Sequence, residues 1–364
     1  MKKETFNNHF NFTKYIILFL INLLLIYLFC ISGKPKKKIG VIGVRHEANI
    51  GNNLIKYAMS IKLSQLGYIP YIIGTVLKEY NNIAFVNQTT NLIIIKNNFS
   101  EIKQNDYDAL IVNSDQTWVK YDDNFYDYGF LKFAEYWNIS KIVYGASIGY
   151  DVWKFSRDDE NMAKRLLKNF LGVSVREKGS INLIKNHLGI NPEFVLDPTF
   201  LIDKKYYLNI VKDFKGNITN YNKNYIFVYN IANDSRIIQS MKNASKELNL
   251  ESYYFPLNND SSVKSFIYYM IKSKAVITNS YHGTVFSIIF NKPFLTIYDK
   301  YNSKERYSSL GNLFGINDRL FERAQPPNYS LLMQPLNINY TILNELRTKS
   351  IIFLFPKNYY ILCK

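Results

Sequence analysis

Short apolar segments alternate with segments of helical periodicity along most of this 364-residue chain, and the alternation occurs twice. In the first series, residues 39–44 (IGVIGV) indicate a buried strand, and residues 52–66 carry apolar side chains at helical spacing up to Gly67. Strands that alternate with helices predict a parallel, doubly wound sheet. Further strands are predicted at 92–95, 109–113, 142–146, 173–175 and 194–196, and further helices at 161–170 and 179–187.

The alternation restarts after residues 213–224, a polar segment rich in Asn, Lys and Gly that is typical of a linker. Roughly 325 residues follow the N-terminal segment, which is more than one hydrophobic core usually serves. We therefore expect an α/β protein of two Rossmann-like domains that face a cleft, at residues 38–212 and 225–364, with a closing helix near 338–354. The second series predicts strands at 225–229, 252–255, 275–278 and 294–297, and helices at 235–248, 262–272 and 283–290.

Residues 15–31 form an apolar run that only Asn22 interrupts. About 17 helical residues span roughly 25 Å, barely enough to cross the hydrocarbon core. Lysines at 34 and 36–38 outnumber those at 2, 3 and 14, and positive flanks stay in the cytoplasm. Residues 1–37 are therefore predicted to be a single-pass membrane anchor, with its basic flank, that leaves the rest of the chain in the cytoplasm. The alternatives are a misassigned start codon and a cleaved signal peptide, although Phe29 before Cys30 fits a lipoprotein cleavage site poorly.

The net charge of +16 is compatible with nucleic acid, a membrane surface or an anionic substrate as partner. The chain has no zinc-finger spacing, RNP-type aromatic motif or long arginine run, so nucleic acid is not expected. The lysines are spread along the chain, which favours a genome-wide composition bias as the main cause of the charge. Cys30 and Cys363 stand in no metal-binding or redox spacing, and no metal is expected.

Open α/β sheets bind ligands beyond the carboxyl ends of their strands, so the strand pattern also predicts where the site lies. After the first strand, residues 49–52 (NIGN) open a helix. There, Gly51 lets the backbone approach a ligand, and the helix amides near Asn49 and Asn52 can bind an anion. A plain polar turn between strand and helix is the alternative.

Residues 113–118 (NSDQTW) follow another buried strand directly. Asp115 can accept a hydrogen bond from a sugar hydroxyl, and Trp118 can stack on a sugar face. The alternative is that Asp115 caps a helix. Arg176 also follows a buried strand, and its guanidinium is suited to bind a carboxylate or a phosphate. Here the alternative is an ion pair with a structural carboxylate such as Glu177 or Asp197.

Residues 278–284 (TNSYHGT) run from the end of a strand into a helix. This position predicts that His282 is exposed at the cleft beside helix amides, with Ser280, Gly283 and Thr284 around it. A satisfied core histidine is the alternative. Residues 302–306, together with 318–319, are predicted to form a charged loop from which Arg306 reaches the same cleft. A solvated helix end is equally compatible with this charged segment.

Taken together, these residues resemble the polysaccharide pyruvyltransferase family, from about residue 43 to residue 354. The resemblance implies a two-domain fold of the glycosyltransferase-B type. It also implies transfer of pyruvate from phosphoenolpyruvate to a sugar as a ketal, with phosphoenolpyruvate as co-substrate and no cofactor. The segments that carry it are residues 49–54 (NIGNNL), 113–118 (NSDQTW), 144–149 (YGASIG), 173–178 (VSVREK), 195–199 (VLDPT), 278–287 (TNSYHGTVFS) and 291–294 (NKPF).

In this family the functional pair is the arginine and the histidine that match Arg176 and His282. The resemblance therefore implies that Arg176 clamps the donor's carboxylate or phosphate, and that His282 acts as general acid or phosphate partner. Several members carry a second arginine two positions before the histidine, where this chain has Ser280. The expected acceptor is a sugar of a surface polysaccharide or of its lipid-linked precursor. A nucleotide-sugar glycosyltransferase and a non-catalytic, membrane-anchored partner in polysaccharide assembly are the alternatives.

Overall fold

The computed structural model describes residues 35–43, 49–75, 85–86, 88–95, 99–122, 124–215, 224–231, 233–257, 261–322 and 325–354. Within these ranges, no helix has the length and apolar character needed to cross a membrane. The anchor predicted from residues 15–31 lies outside the described residues, as do both cysteines.

The first half of the chain forms a parallel sheet of seven strands in the order β3-β2-β1-β4-β5-β6-β7. Its strands are β1 (Lys38–Ile42), β2 (Ile69–Thr75), β3 (Asn91–Ile95), β4 (Ala109–Val112), β5 (Ser140–Ala146), β6 (Gly172–Val175) and β7 (Glu193–Phe194). Its helices are α1 (Ile50–Gln65), α2 (Phe125–Phe130), α3 (Arg157–Leu167), α4 (Ser180–Leu188) and α5 (Lys204–Ile210). The sequence pattern missed β2, because Pro70 near its start is unusual within a sheet.

The second half forms a parallel sheet of five strands in the order β12-β11-β10-β8-β9. Its strands are β8 (Tyr225–Tyr229), β9 (Glu251–Tyr254), β10 (Ala275–Thr278), β11 (Phe294–Tyr298) and β12 (Leu320–Glu322). Its helices are α6 (Ser235–Leu248), α7 (Val263–Lys272), α8 (Tyr281–Ile289) and α9 (Lys300–Phe314), and α10 (Tyr340–Phe353) follows at the C-terminal end. The two parallel α/β sheets confirm the predicted fold class.

The charged loop predicted around residues 302–306 is wrong, because this segment lies in α9, near the N-terminal end of the helix, as the alternative of a helix end had it. Three side chains on α9, those of Tyr307, Leu310 and Phe314, recur at helical spacing and are buried. This narrow apolar stripe holds the helix against the second sheet, and small polar residues between its members, such as Ser308 and Asn312, obscure it in the sequence.

The closing helix α10 packs back onto the first half of the chain. Ser350 Oγ accepts a hydrogen bond from the backbone N–H of Leu196 (2.8 Å), and Arg347 Nε donates to the carbonyl oxygen of Phe200 (2.6 Å). The ring of Phe353 packs against that of Tyr144, with 6.1 Å between centroids. The two halves are thus joined by α10 as well as by the segment between α5 and β8.

Candidate functional site

Three acidic or basic side chains follow strands of the first sheet at its carboxyl edge. Asp115 comes after β4, Arg176 directly follows β6, and Asp197 comes shortly after β7. Parallel strands end at the same edge of a sheet, so residues distant in sequence meet there. Each of the three is buried, which is unusual for charged groups unless they are paired.

The guanidinium of Arg176 is surrounded by three carboxylates. Nε donates to Glu177 Oε1 (3.0 Å), Nη1 to Asp197 Oδ2 (2.8 Å) and Nη2 to Asp115 Oδ1 (3.1 Å), and the arginine side chain is completely buried. The planar fork of arginine suits such a site, because it offers several donors in fixed directions. Arg176 therefore lies at ion-pair distance from Glu177 and Asp197, which is the alternative that the sequence left open, and also from Asp115.

The same arginine affects its carboxylates differently. Burial alone raises the pKa of Asp115, but the charge of Arg176 outweighs it and holds that pKa well below the usual range. Burial likewise raises the pKa of Asp197, yet the contacts with His282 and Arg176 lower it to about 2. For Glu177 burial prevails, and its pKa is raised despite the neighbouring arginines. Asp115 and Asp197 are therefore ionised at neutral pH.

His282 enters the cluster from the second half of the chain. It is the second residue of α8, whose N-cap Ser280 accepts a hydrogen bond from the N–H of Gly283 (3.2 Å). Its Nε2 lies 3.6 Å from Asp197 Oδ2, a separation longer than a hydrogen bond. His282 is buried, not exposed as the sequence predicted, because α1 of the first half covers it.

The N-terminus of α1 meets that of α8 at this histidine. Asn49 caps α1 by accepting from the N–H of Asn52 (3.1 Å), and Asn52 Nδ2 donates to Asp115 Oδ2 (3.1 Å). Gly51 faces the imidazole so closely that a Cβ there would lie 2.2 Å from Nδ1 of His282. The amides and dipoles of two helices are thus directed at one point, an arrangement that favours anions.

An aromatic ring lies between two arginines beside this point. The Cζ atom of Arg176 is 4.4 Å from the ring centroid of Tyr281, and that of Arg306 on α9 is 5.7 Å from the same centroid. Cations are attracted to the faces of aromatic rings. Tyr281 was not predicted as a site residue, although it stands between Ser280 and His282, because its position between two guanidinium groups depends on the tertiary fold.

Two residues predicted for the site lie apart from the cluster. Trp118 is buried, its indole stacks on Phe130 (5.3 Å), and its Nε1 donates to the carbonyl oxygen of Gly129 (2.9 Å). Thr284 shares a hydrogen bond with Thr296 (2.7 Å) inside the second half. In this structure both side chains belong to the packed interior.

Asp115 does not cap a helix, which was the alternative interpretation of its position. Its φ of 106° lies in a region that residues other than glycine rarely adopt. Such a conformation costs about 1–3 kcal/mol and persists only where surrounding contacts enforce it. The hydrogen bonds from Asn52 and Arg176 are contacts of this kind.

Comparison with known proteins places the chain in a family. The profile described as polysaccharide pyruvyl transferase matches residues 49–301, a range that includes Arg176 and His282. No curated protein matches the chain significantly.

The solved structures that resemble the chain include several UDP-GlcNAc 2-epimerases. That of Methanocaldococcus jannaschii is 12% identical with a TM-score of 0.50, and covers 87% of this chain and 99% of its own. That of Neisseria meningitidis, bound to UDP-GlcNAc, is 13% identical with a TM-score of 0.50, covering 90% and 96%. A putative UDP-N-acetylglucosamine 2-epimerase from Listeria monocytogenes is 13% identical with a TM-score of 0.51, covering 90% and 94%.

At such low identity these structures establish the fold alone, which is a two-domain arrangement of the glycosyltransferase-B type. The family profile extends across both sheets and over more than half of the sequence. The chain belongs to the polysaccharide pyruvyl transferase family.

Proposed function

We propose that this protein transfers a pyruvyl group from phosphoenolpyruvate to a sugar of a surface polysaccharide or its lipid-linked precursor. The observation that carries the proposal is the approach of Arg176 and His282, from opposite halves of the chain, to the same oxygen of Asp197. A cluster of charged groups between two sheets suits a small anionic donor. Family membership supports a transferase, and the choice of donor is the proposal.

The donor carries a carboxylate and a phosphate, and the site offers positive potential at two places. The N-termini of α1 and α8 converge at His282, and Arg306 reaches Tyr281 from α9. Because Arg176 is already engaged by three carboxylates, its proposed role changes from a direct clamp to fixing Asp115 and Asp197 in their ionised forms. Arg306 then contacts the donor anion, in place of the arginine that other members carry where this chain has Ser280.

His282 is proposed as the group that faces the donor's phosphate. An imidazole can donate a hydrogen bond to a phosphate oxygen and pass a proton to it as the phosphate departs. Asp197 orients the ring through the 3.6 Å approach to Nε2, and Gly51 leaves room for it. In this proposal His282 contacts the phosphate of the donor, and Arg306 attracts the donor through its overall negative charge.

On the acceptor side, Asp115 is the proposed partner of a sugar hydroxyl. Its carboxylate is ionised and lies at the carboxyl edge of the first sheet. The aromatic stacking role predicted for Trp118 is reassigned to Tyr121 in the same loop. Tyr121 is 46% exposed, and its hydroxyl donates to Gln116 Oε1 (2.8 Å). A lipid-linked acceptor would be presented at the cytoplasmic face of the membrane, where the predicted N-terminal anchor would hold the protein.

The direct test incubates the full chain, in detergent, with phosphoenolpyruvate and a panel of lipid-linked and synthetic glycosides. We expect release of inorganic phosphate in step with a pyruvyl mass increase on one glycan, and loss of both with His282→Ala. A parallel thermal-shift series compares phosphoenolpyruvate with sugar nucleotides. Stabilisation by a sugar nucleotide alone, followed by sugar transfer, would contradict the proposal and support a nucleotide-sugar glycosyltransferase.

A further inference from the structure

One carboxyl oxygen in the cluster has no hydrogen-bond partner among the described residues. Glu177 is 2% exposed, and its Oε1 accepts from Arg176 Nε. Its Oε2 is buried and receives no hydrogen bond within the part of the chain that the structure describes. Buried polar atoms are nearly always paired, so an unpaired one at a candidate site needs a physical explanation.

A buried carboxyl group avoids most of the cost of lost hydration when it carries a proton. The charged and titratable groups that influence Glu177 are Arg176, Arg306 and Tyr281, and the Ser147 hydroxyl lies nearby. Both arginines and the Ser147 hydroxyl favour the ionised form, yet burial outweighs them, and the pKa of Glu177 is raised. Asp115 and Asp197 behave in the opposite way beside the same Arg176.

The charges of the cluster support the same assignment. Arg176 and Arg306 contribute two positive charges, and the ionised Asp115 and Asp197 contribute two negative charges. A neutral Glu177 leaves these four charges balanced, whereas an ionised Glu177 would be a third carboxylate sharing the single guanidinium of Arg176 in a buried place. A buried ion pair is favourable only where the attraction between its charges exceeds the cost of removing both groups from water.

We propose that Glu177 holds a proton in the resting protein and delivers it to the methylene carbon of the enolpyruvyl donor. The delivery of the proton rests on the proposed function, because that reaction needs an acid at the methylene carbon. The presence of the proton on Glu177 does not depend on it. The proton moves from the carboxyl group to the methylene, which becomes a methyl group, while an acceptor hydroxyl forms a bond to the adjacent carbon. The proton that this hydroxyl loses returns to Glu177.

In the second step of the reaction, Glu177 neither gains nor loses a proton. The bond between the central carbon and the phosphate oxygen breaks, a second hydroxyl of the sugar takes its place, and the proton of that hydroxyl leaves with the phosphate. Atoms and charges then balance, with a pyruvate ketal and inorganic phosphate as products. Glu177 and His282 thereby serve different atoms of the donor, the carbon and the phosphate.

The held proton is tested without any substrate, by infrared difference spectroscopy of the full chain at neutral pH. We expect a band of a protonated carboxyl group in the wild type that disappears in Glu177→Gln. Glu193→Gln, at an exposed position in the same sheet, is the matched control and should leave the band in place. Absence of such a band in the wild type would overturn the proposal, whether or not the protein transfers pyruvate.

Delivery of the proton is tested kinetically with phosphoenolpyruvate and an active glycan. General acid catalysis contributes about 10²–10⁴-fold, so Glu177→Gln should lower kcat by at least about 100-fold. KM for phosphoenolpyruvate and the thermal shift that it produces should stay near wild-type values. Glu177→Asp should retain part of the activity with a displaced basic limb in the pH profile of kcat, and it also serves if the glutamine variant does not fold.

Wild-type kcat in a folded Glu177→Gln variant would refute delivery of the proton. If the wild type shows the band but transfers nothing from phosphoenolpyruvate to any glycan, the proposed function fails, and the proton held by Glu177 remains supported. The two outcomes are therefore distinguishable.

Discussion

The imidazole of His282 lies against the Cα of Gly51, so the histidine of one half of the chain packs on a residue of the other that has no side chain. A Cβ at position 51 would lie 2.2 Å from Nδ1 and 2.4 Å from Cγ of His282, well inside van der Waals contact. The glycine is required by this close approach between helices α1 and α8.

Gly51→Ala should therefore displace His282 or separate the two helices. We expect transfer to fall at least about tenfold, with a loss of stability of about 1–3 kcal/mol, as is typical of overpacked sites. Turnover and urea unfolding measure the two effects. Gly74→Ala is the matched control, because a Cβ there meets no atom within 4 Å, and its stability should change by less than about 0.5 kcal/mol.

Arg176→Met should be among the most destabilising substitutions in the chain. It removes the partner of the buried Asp115 and Asp197 carboxylates and of the Glu177 carboxyl group, and breaking a buried ion pair from one side costs about 3–5 kcal/mol. The pKa of Asp197 should rise in the variant, because one of the groups that lowers it is gone. Denaturant unfolding at neutral pH tests the first effect, and an unfolding free energy equal to that of the wild type would contradict the burial of the cluster.

The ionisation of Glu177 should contribute to the way in which the free energy of unfolding changes with pH. Its pKa is raised in the folded protein, so the folded state binds more protons than the unfolded state above about pH 4.5. Stability contributed by this group is present at low pH and is lost as pH rises towards the folded pKa. Glu177→Gln should remove that loss, so that its unfolding free energy declines less than that of the wild type as pH rises above about 4.5. Parallel curves for the two proteins would show that Glu177 ionises normally.

Arg306→Ala should weaken donor binding more than it weakens the fold. The guanidinium stands beside Tyr281 at the meeting point of the helix N-termini, where it is proposed to contact phosphoenolpyruvate. We expect KM for phosphoenolpyruvate to rise at least about tenfold, which corresponds to about 1.4 kcal/mol. Lys304→Ala removes a positive charge on the same helix at a side chain that is 54% exposed and paired with Glu322. If the two substitutions raised KM for phosphoenolpyruvate equally, the effect would come from the loss of net charge and not from a contact of Arg306 with the donor.

Tyr121→Ala should raise KM for the sugar acceptor about tenfold while leaving KM for phosphoenolpyruvate unchanged. The reason is loss of an exposed aromatic face next to Asp115. Tyr136→Ala, which removes an 87% exposed tyrosine, is the control for a general surface effect. A change in the donor's KM but not in the acceptor's would exclude the proposed stacking role of Tyr121.

The sequence predicted the parallel sheets because their strands are apolar runs, such as Ala109–Val112, that end in polar residues. Five of the named elements were not predicted: α2, α5 and β12 are short, β2 contains Pro70, and small polar residues interrupt the buried face of α9. The rule that ligands bind at strand ends pointed to Arg176 and His282. It did not reveal that three carboxyl groups accept hydrogen bonds from Arg176, because those contacts form only when loops that are distant in sequence come together in the fold.

The course of α10 restricts how the two halves can move. The chain passes from the first half to the second before β8 and returns to the first half at α10. Arg347 and Ser350 of this helix form hydrogen bonds with the backbone of the first half. Two covalent crossings between the halves restrict the sliding of one half over the other. We therefore expect a substrate to reach the point where Gly51 meets His282 through a rotation of the two halves rather than through sliding.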